Sequence, residues 1–242
     1  MDMMMDEKLL LDCAAEIGAA LTEEMAAQFA AYTRLLLEWN EKMNLTAITD
    51  PREIVLKHYA DSLTALAVLD RNTPLRVADV GTGAGFPGLP LKIAAPQWDV
   101  TLMDALQKRV GFLQCVTEAL RLDHVTCIHT RAEDAGRKPS HRGAYDAVVS
   151  RAVARLGVLA EYALPFVKIG GTFVALKGPS AEEEVKEAKA AIQRLGGELE
   201  AIREAVIPFT ELKHTLVVVK KVRQTPTIYP RAAAQISKSA IK

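Results

Sequence analysis

The chain has 242 residues, half of them apolar, and its 30 basic and 30 acidic side chains balance. That length suits one α/β domain with an appendage and a well-buried core, and the lack of a basic excess argues against a general nucleic-acid binder. No run reaches the ~18 uninterrupted apolar residues of a membrane span. The start, Met1-Asp2-Met3-Met4-Met5-Asp6-Glu7, is acidic where a secretory signal is basic. A cytoplasmic chain without a membrane partner is therefore expected. Cys13, Cys115 and Cys127 are far apart and fit reduced thiols. Cys127 and His129 would share one strand face, but two ligands do not make a zinc site, so no metal is expected.

Residues from about Asp6 to Leu69 read as helices, with Leu9, Leu10, Cys13, Ile17 and Leu21 at helical spacing. A second helix is predicted from a Thr22 cap to about Met43, ended by Asn44-Leu45-Thr46. Asp50-Pro51-Arg52-Glu53 combines a cap, a first-position proline and a capping-box acid. The helix it starts carries Lys57, His58, Asp61 and Ser62, and Lys57 and Asp61, four apart, are expected to pair.

After Asn72-Thr73-Pro74 the pattern alternates between strand and helix, the signature of a parallel sheet covered on both faces. The first strand, ending at Asp79-Val80, runs into Gly81-Thr82-Gly83-Ala84-Gly85-Phe86-Pro87-Gly88. Glycines at a strand's carboxyl end let backbone approach a ligand, or make only a tight turn. The spacing is Gly-x-Gly-x-Gly. Phe86 stands where a dinucleotide fingerprint has its third glycine, and no Lys-Ser or Lys-Thr pair makes a phosphate loop. A nicotinamide dehydrogenase is accordingly disfavoured.

The second strand, Trp98 to Met103, ends at Asp104, about 20 residues beyond the glycines, where a carboxylate meets ribose hydroxyls in nucleoside-binding folds. Asp104 could equally cap the following helix. A third strand, Val125 to His129, ends near Ala132-Glu133-Asp134, and a fourth, Ala144 to Val149, ends at Ser150-Arg151. A helix over about Val153 to Val167 and a fifth strand over Thr172 to Lys177 follow. A charged helix from about Ala181 to Leu195 and strands at about Glu200 to Ile207 and Leu216 to Val219 close the pattern. If the last strands pair antiparallel, the sheet has seven. After Glu211 there is no acid, whereas Lys213, Lys220, Lys221, Arg223, Arg231, Lys238 and Lys242 occur. Such a tail either follows a phosphate backbone or is merely solvated.

These segments, with Lys57-His58-Tyr59-Ala60-Asp61-Ser62-Leu63, Ser150-Arg151-Ala152-Val153-Ala154 and Ala175-Leu176-Lys177-Gly178, resemble the class I S-adenosylmethionine-dependent methyltransferases. More closely the chain is similar to the RsmG (glucose-inhibited division protein B) family of bacterial 16S rRNA guanine-N7 methyltransferases. The resemblance implies a Rossmann-like α/β core over 73–222, an N-terminal helical cap over 1–72 and a basic tail over 223–242. It implies S-adenosyl-L-methionine as cofactor, bound by Gly81, Gly83, Phe86, Asp104, Ala105, Leu106, Ala132, Glu133 and Arg151. Lys57, His58 and Lys177 are candidate substrate contacts. Asp79 would reach the methionine ammonium through water or hold the loop.

The implied partner is 16S rRNA, within the small subunit, with a monomeric enzyme acting on one guanine of the decoding-region (530) loop. No catalytic acid or base is expected, because guanine N7 has a free lone pair and no proton to lose, which leaves positioning and electrostatics. Ser150-Arg151-Ala152-Val153 also differs from the Asn/Asp-Pro-Pro-aromatic box of exocyclic amine methyltransferases. A methyltransferase for another RNA, a protein or a small molecule, and a non-catalytic binding protein, are the alternatives. The tail, ending Ala232-Ala233-Ala234-Gln235-Ile236-Ser237, is poorer in Lys and Pro than is usual in the family.

Overall fold

The computed structural model describes residues 5–151, 153–178, 181–239 and 241. The opening Met1-Asp2-Met3-Met4, Ala152 of the fourth-strand motif and Lys242 of the tail lie outside the described residues. Seven strands form one sheet: β1 (Arg76–Val80), β2 (Asp99–Asp104), β3 (Val125–His129), β4 (Tyr145–Arg151), β5 (Val167–Lys177), β6 (Gly197–Val206) and β7 (Lys213–Lys221). Their order is β3-β2-β1-β4-β5-β7-β6. The first five are parallel, and β7 runs antiparallel between β5 and β6.

Strand alternation divides the core in two. Val77, Val100, Leu102, Val149 and Val174 face one apolar cluster, and Ala78, Val80, Met103, Val148 and Phe173 face the other. On the first face lie α1 (Glu7–Glu16), α2 (Glu23–Met43) and a composite helix, α3. α3 runs through Pro51–Ile54, a π-helical turn Val55–Ala60, Asp61–Leu63 and a 3₁₀ turn Thr64–Ala67. Helices α4 (Gly88–Ala94) and α5 (Gln107–Ala119) share that face. Leu10, Phe29, Tyr32, Leu36 and Tyr59 join Val77 and Val100 in one core, so the N-terminal helices extend the sheet's core. The other helices are α6 (Ala132–Ala135), α7 (Leu156–Ala163), α8 (Ala181–Arg194) and α9 (Ala233–Lys238).

The helix caps form as the sequence predicts: Thr22 accepts from Met25 N (3.2 Å), Asp50 accepts from Glu53 N (2.9 Å), and Asn44 ends α2 in the left-handed region. β6 and β7 begin three residues earlier than the sequence predicts, and two further boundaries differ for identifiable reasons. α7 stops at Ala163 because Pro165 has no N–H and disfavours helix in the residue before it. β5 begins at Val167, pairs with Tyr145, and resumes pairing only at Thr172 opposite Ala147. The irregularity accommodates Gly170-Gly171, which precede the strand predicted over Thr172 to Lys177.

The tail is docked, contrary to a purely solvated end. Arg142 donates to Thr225 O and Tyr229 O, and Arg231 forms a bidentate pair with the fully buried Glu161 (2.8 and 3.0 Å). Lys221 is buried and donates to Leu164 O (2.5 Å) and Leu195 O (3.0 Å). Burial brings its pKa down to about 7. Basic residues expected along an RNA backbone are thus partly spent on holding the chain. Among the described residues no helix is long and apolar enough to cross a membrane.

Candidate functional site

The strand order reverses between β1 and β4, and the ligand crevice of an open α/β sheet lies outside the carboxyl ends of the strands there. At that point the chain forms a cavity of about 420 Å³. It is lined by Gly81, Gly83, Phe86, Asp104, Ala105, Leu106 and Arg151, together with Leu45, Thr46, His58 and Arg109. A second cavity of about 180 Å³ adjoins it, sharing Gly81, Asp104 and Ala105 and adding Ala132, Glu133 and Tyr162. All nine expected cofactor residues therefore come together, although they lie at or just after the ends of four strands spread over 70 positions of chain (81 to 151).

The glycine loop is shaped from below. Asp79 is fully buried, and its Oδ2 accepts from Thr82 Oγ1 (2.6 Å) and from Gly88 N (2.7 Å). Of its two expected roles, the geometry is that of a residue holding the loop. Gly88 is required beside it, since a Cβ there would meet Leu102 Cδ2 at 2.5 Å and Asp79 Oδ2 at 2.7 Å. Burial pushes the Asp79 carboxyl up to about 7, and the bonds from Thr82 and Gly88 only partly oppose it. Its folded pKa lies above the ordinary 3.8, so the folded state holds this proton more tightly than the unfolded chain does. The associated stability is complete below about pH 4 and is lost as pH rises to about 7. Asp79→Asn keeps an acceptor oxygen and removes the titration. Urea midpoints between pH 5 and 8 should therefore fall less in this variant than in the parent chain. Equal slopes would show that Asp79 does not titrate in that window.

Asp104 joins the loops. Its Oδ2 accepts from Gly83 N (3.0 Å) and its Oδ1 from Leu106 N (2.8 Å), while Arg109 stands 3.5 Å away. Only 4% of Asp104 is exposed, so these bonds fix both carboxylate oxygens at the cavity wall. Capping and ligand contact are compatible here, because a carboxylate oxygen accepts more than one hydrogen bond. Glu133 is buried, not an exposed first-turn acid, and its nearest cation, Arg131, is 4.0 Å away.

Arg151 crosses the floor. Its guanidinium lies over the Phe86 ring (5.0 Å to the centroid), and Phe86 stacks on His58 (4.3 Å, 18°). Arg151 donates to Asp61 Oδ2 (2.6 Å), Lys57 O (3.0 Å) and His58 Nδ1 (3.1 Å). Since Nδ1 accepts, His58 Nε2 carries the hydrogen and donates to Thr46 Oγ1 (2.8 Å). Burial, then the Arg151 charge, lowers the His58 pKa to about 4, so the ring is neutral and ill-suited to act as a base near pH 7.

Two expected substrate contacts change meaning. Lys57 does not pair with Asp61; it pairs with Glu53 (2.6 Å) outside the cavity, while Asp61 turns inward to Arg151. The π turn covers the stretch between Lys57 and Asp61 and takes Asp61 out of ordinary four-residue register, while Glu53, four residues before Lys57, stays within reach. Lys177 is buried, and its ammonium donates to Ala154 O (2.8 Å) and pairs with Glu184 (2.8 Å). It braces the end of β5 and is not free for a phosphate. The sequence reading missed Arg109, Tyr162 and His214 altogether. His214, on β7, reaches Asp61 from 153 positions away (214 − 61), which no local pattern announces.

The family model for rRNA small subunit methyltransferase G matches residues 25–213. The chain belongs to that family. It is 51% identical to the ribosomal RNA small subunit methyltransferase G of Desulforamulus reducens, over 96% of this chain and 97% of that one. Among solved structures, TrmN from Thermus thermophilus aligns with a TM-score of 0.52 at 19% identity, over 69% of this chain and 53% of that chain. The [4+2]-cyclase SpnF also reaches 0.52, at 18% identity, over 68% of this chain and 82% of its own. The fold is Rossmann-like, of the class I methyltransferase kind, and a cyclase that shares it shows that the fold does not dictate the reaction. Family membership rests on the near-complete sequence match.

Proposed function

We propose that this protein transfers a methyl group from S-adenosyl-L-methionine to N7 of a single guanine in the decoding-region (530) loop of 16S rRNA. The observation that carries the cofactor reading is Asp104. A buried carboxylate at the end of β2 fastens the glycine loop and the next loop around one cavity. The match to the rRNA methyltransferase family carries the substrate reading.

The residues present fit the cofactor. Asp104 offers acceptor lone pairs for ribose hydroxyls. Glu133, which lines the smaller cavity with the Arg131 guanidinium 4.0 Å from its carboxylate, suits an adenine amino group. Gly81 and Gly83 leave backbone open to the amino-acid end, and Phe86, Ala105, Leu106 and Ala132 supply apolar walls. Bound there, S-adenosylmethionine supplies an electrophilic methyl group. The chain's own task is to hold the acceptor in line and keep water out. A neutral His58 and a fixed Arg151 agree with a reaction that needs no proton removed. Residues 73–222 are read as the transfer core, 1–72 as the helical wall carrying Thr46 and His58, and 223–242 as a structural tail. The base would be presented from a loop or flipped out, since the edge carrying N7 lies in a groove of duplex RNA too narrow for side chains.

The test uses purified protein, labelled S-adenosylmethionine and small subunits from a strain lacking this methylation. N7-methylguanosine is mapped by reductive strand cleavage. One stoichiometric site in the 530 loop is expected. No incorporation into subunits or free 16S rRNA, despite calorimetric cofactor binding, would defeat the assignment.

A further inference from the structure

Asp61 sits between Arg151 and His214. Arg151 Nη1 is 2.6 Å from its Oδ2, and His214 Nδ1 is 2.5 Å from its Oδ1. The second contact is close but poorly aligned, an ion-pair approach more than a linear hydrogen bond. On the far side of the ring, His214 Nε2 is 2.9 Å from Thr64 Oγ1. The hydrogen positions follow from the partners. Thr64 Oγ1 donates to Asp61 O (2.6 Å), a carbonyl that only accepts, so Thr64 accepts from His214 Nε2–H. A neutral ring would then aim its Nδ1 lone pair at a carboxylate. Burial would raise the Asp61 pKa, but His214 and Arg151 outweigh it and hold the group below its ordinary value, so the carboxylate is ionised. Nδ1 is the ring atom that faces this carboxylate, and Nε2 the one that holds Thr64.

The arrangement spans the fold. His214 comes from β7, Asp61 and Thr64 from α3, and Arg151 from β4. His214 and Asp61 are both largely buried, with side chains 10% and 16% exposed. The guanidinium they help to hold lies over Phe86 at the floor of the larger cavity. A carboxylate held from behind narrows the orientations of the guanidinium that donates to it, beside the bonds to Lys57 O and His58 Nδ1.

We propose that His214, acting through Asp61, is a positioning residue that orients Arg151 toward the bound cofactor. The inference rests on the reading above that Arg151 borders the cofactor. His214 lines neither of the two cavities at the strand ends, so its effect on the cofactor passes through Arg151. Two replacements separate orientation from packing. Asparagine places its amide nitrogen near the Nδ1 position and keeps a donor toward Asp61. Glutamine places it near Nε2 and keeps only the Thr64 contact.

The experiment measures cofactor binding by calorimetry and methyl transfer to small subunits for H214N, H214Q, R151K and H214Q/R151K, with melting temperatures alongside. H214Q is expected to weaken cofactor binding about tenfold and H214N no more than about threefold, at similar melting temperatures. In the R151K background H214Q should add less than about twofold, because its target fork is already gone. If H214Q does not fold, Thr64→Val, which loosens the ring without touching Asp61's carboxylate, is expected to weaken binding about threefold. Three results would each overturn the inference: wild-type affinity in H214Q, or in Thr64→Val where that variant replaces it; equal losses in H214N and H214Q; or a full tenfold loss from H214Q on top of R151K. Failure of the wild-type protein to methylate subunits would strike the functional reading alone, since the calorimetric arm requires no RNA.

Discussion

Asp104→Ala is expected to lower affinity for S-adenosylmethionine by about 10²–10⁴-fold, the largest effect of any single change at the site. The carboxylate holds Gly83 N and Leu106 N, and in the proposed complex it also accepts from the ribose. Hydrogen bonds to a charged group are each worth about 1.5–3 kcal/mol. Losing two ribose bonds accounts for about 3–6 kcal/mol, and loosening of both loops adds to it. Titration calorimetry of the variant, with a melting curve to show that it folds, gives the answer. Binding within a few-fold of wild type would place the ribose elsewhere. Asp104→Asn should fall between, because it keeps one acceptor and turns a second donor toward a backbone N–H.

The second large effect is on stability. Gly85 has φ +102°, and an added Cβ would lie 2.5 Å from Leu89 Cδ1 and 2.6 Å from the Tyr32 hydroxyl oxygen. That hydroxyl is buried and donates to Ala84 O, so it has little room to withdraw. Gly85→Ala therefore combines a backbone penalty of about 1–2 kcal/mol with overpacking of about 1–3 kcal/mol. At about 2–4 °C per kcal/mol for a chain of this size, its melting temperature should fall by roughly 5–20 °C. Gly83→Ala is the control. Its φ is +61°, but a Cβ there would find nothing within 4 Å, so only the backbone penalty applies. Equal melting temperatures for the two variants would show that the Tyr32 and Leu89 contacts yield freely.

The same comparison explains what was legible in the chain. Gly81-Thr82-Gly83-Ala84-Gly85 after an apolar strand, and Asp104 after the next, are local signals. Each reports a strand end, and parallel strands bring such ends to one edge of a sheet. That is why the order of strand ends along the chain already sets residues as distant as Gly81 and Glu133 at one edge, where they line one cavity. Lys57 and Lys177 show the limit. From sequence both are basic residues near the right edge, and whether their charge reaches solvent or a buried carboxylate depends on neighbours that spacing does not name. The same holds for the tail, where the charge of Arg231 is visible and its partner, the buried Glu161, is not.

Helix starts at Thr22 and Asp50, the alternation of strands and helices, and the polar strand ends depend on residues a few positions apart, and the chain alone specifies them. The inward turn of Asp61, the reach of His214 from β7, and the neutral state of His58 depend on burial and on charges brought close by packing. Those belong to the tertiary structure, because Coulomb and desolvation energies follow distance in space and not separation along the chain.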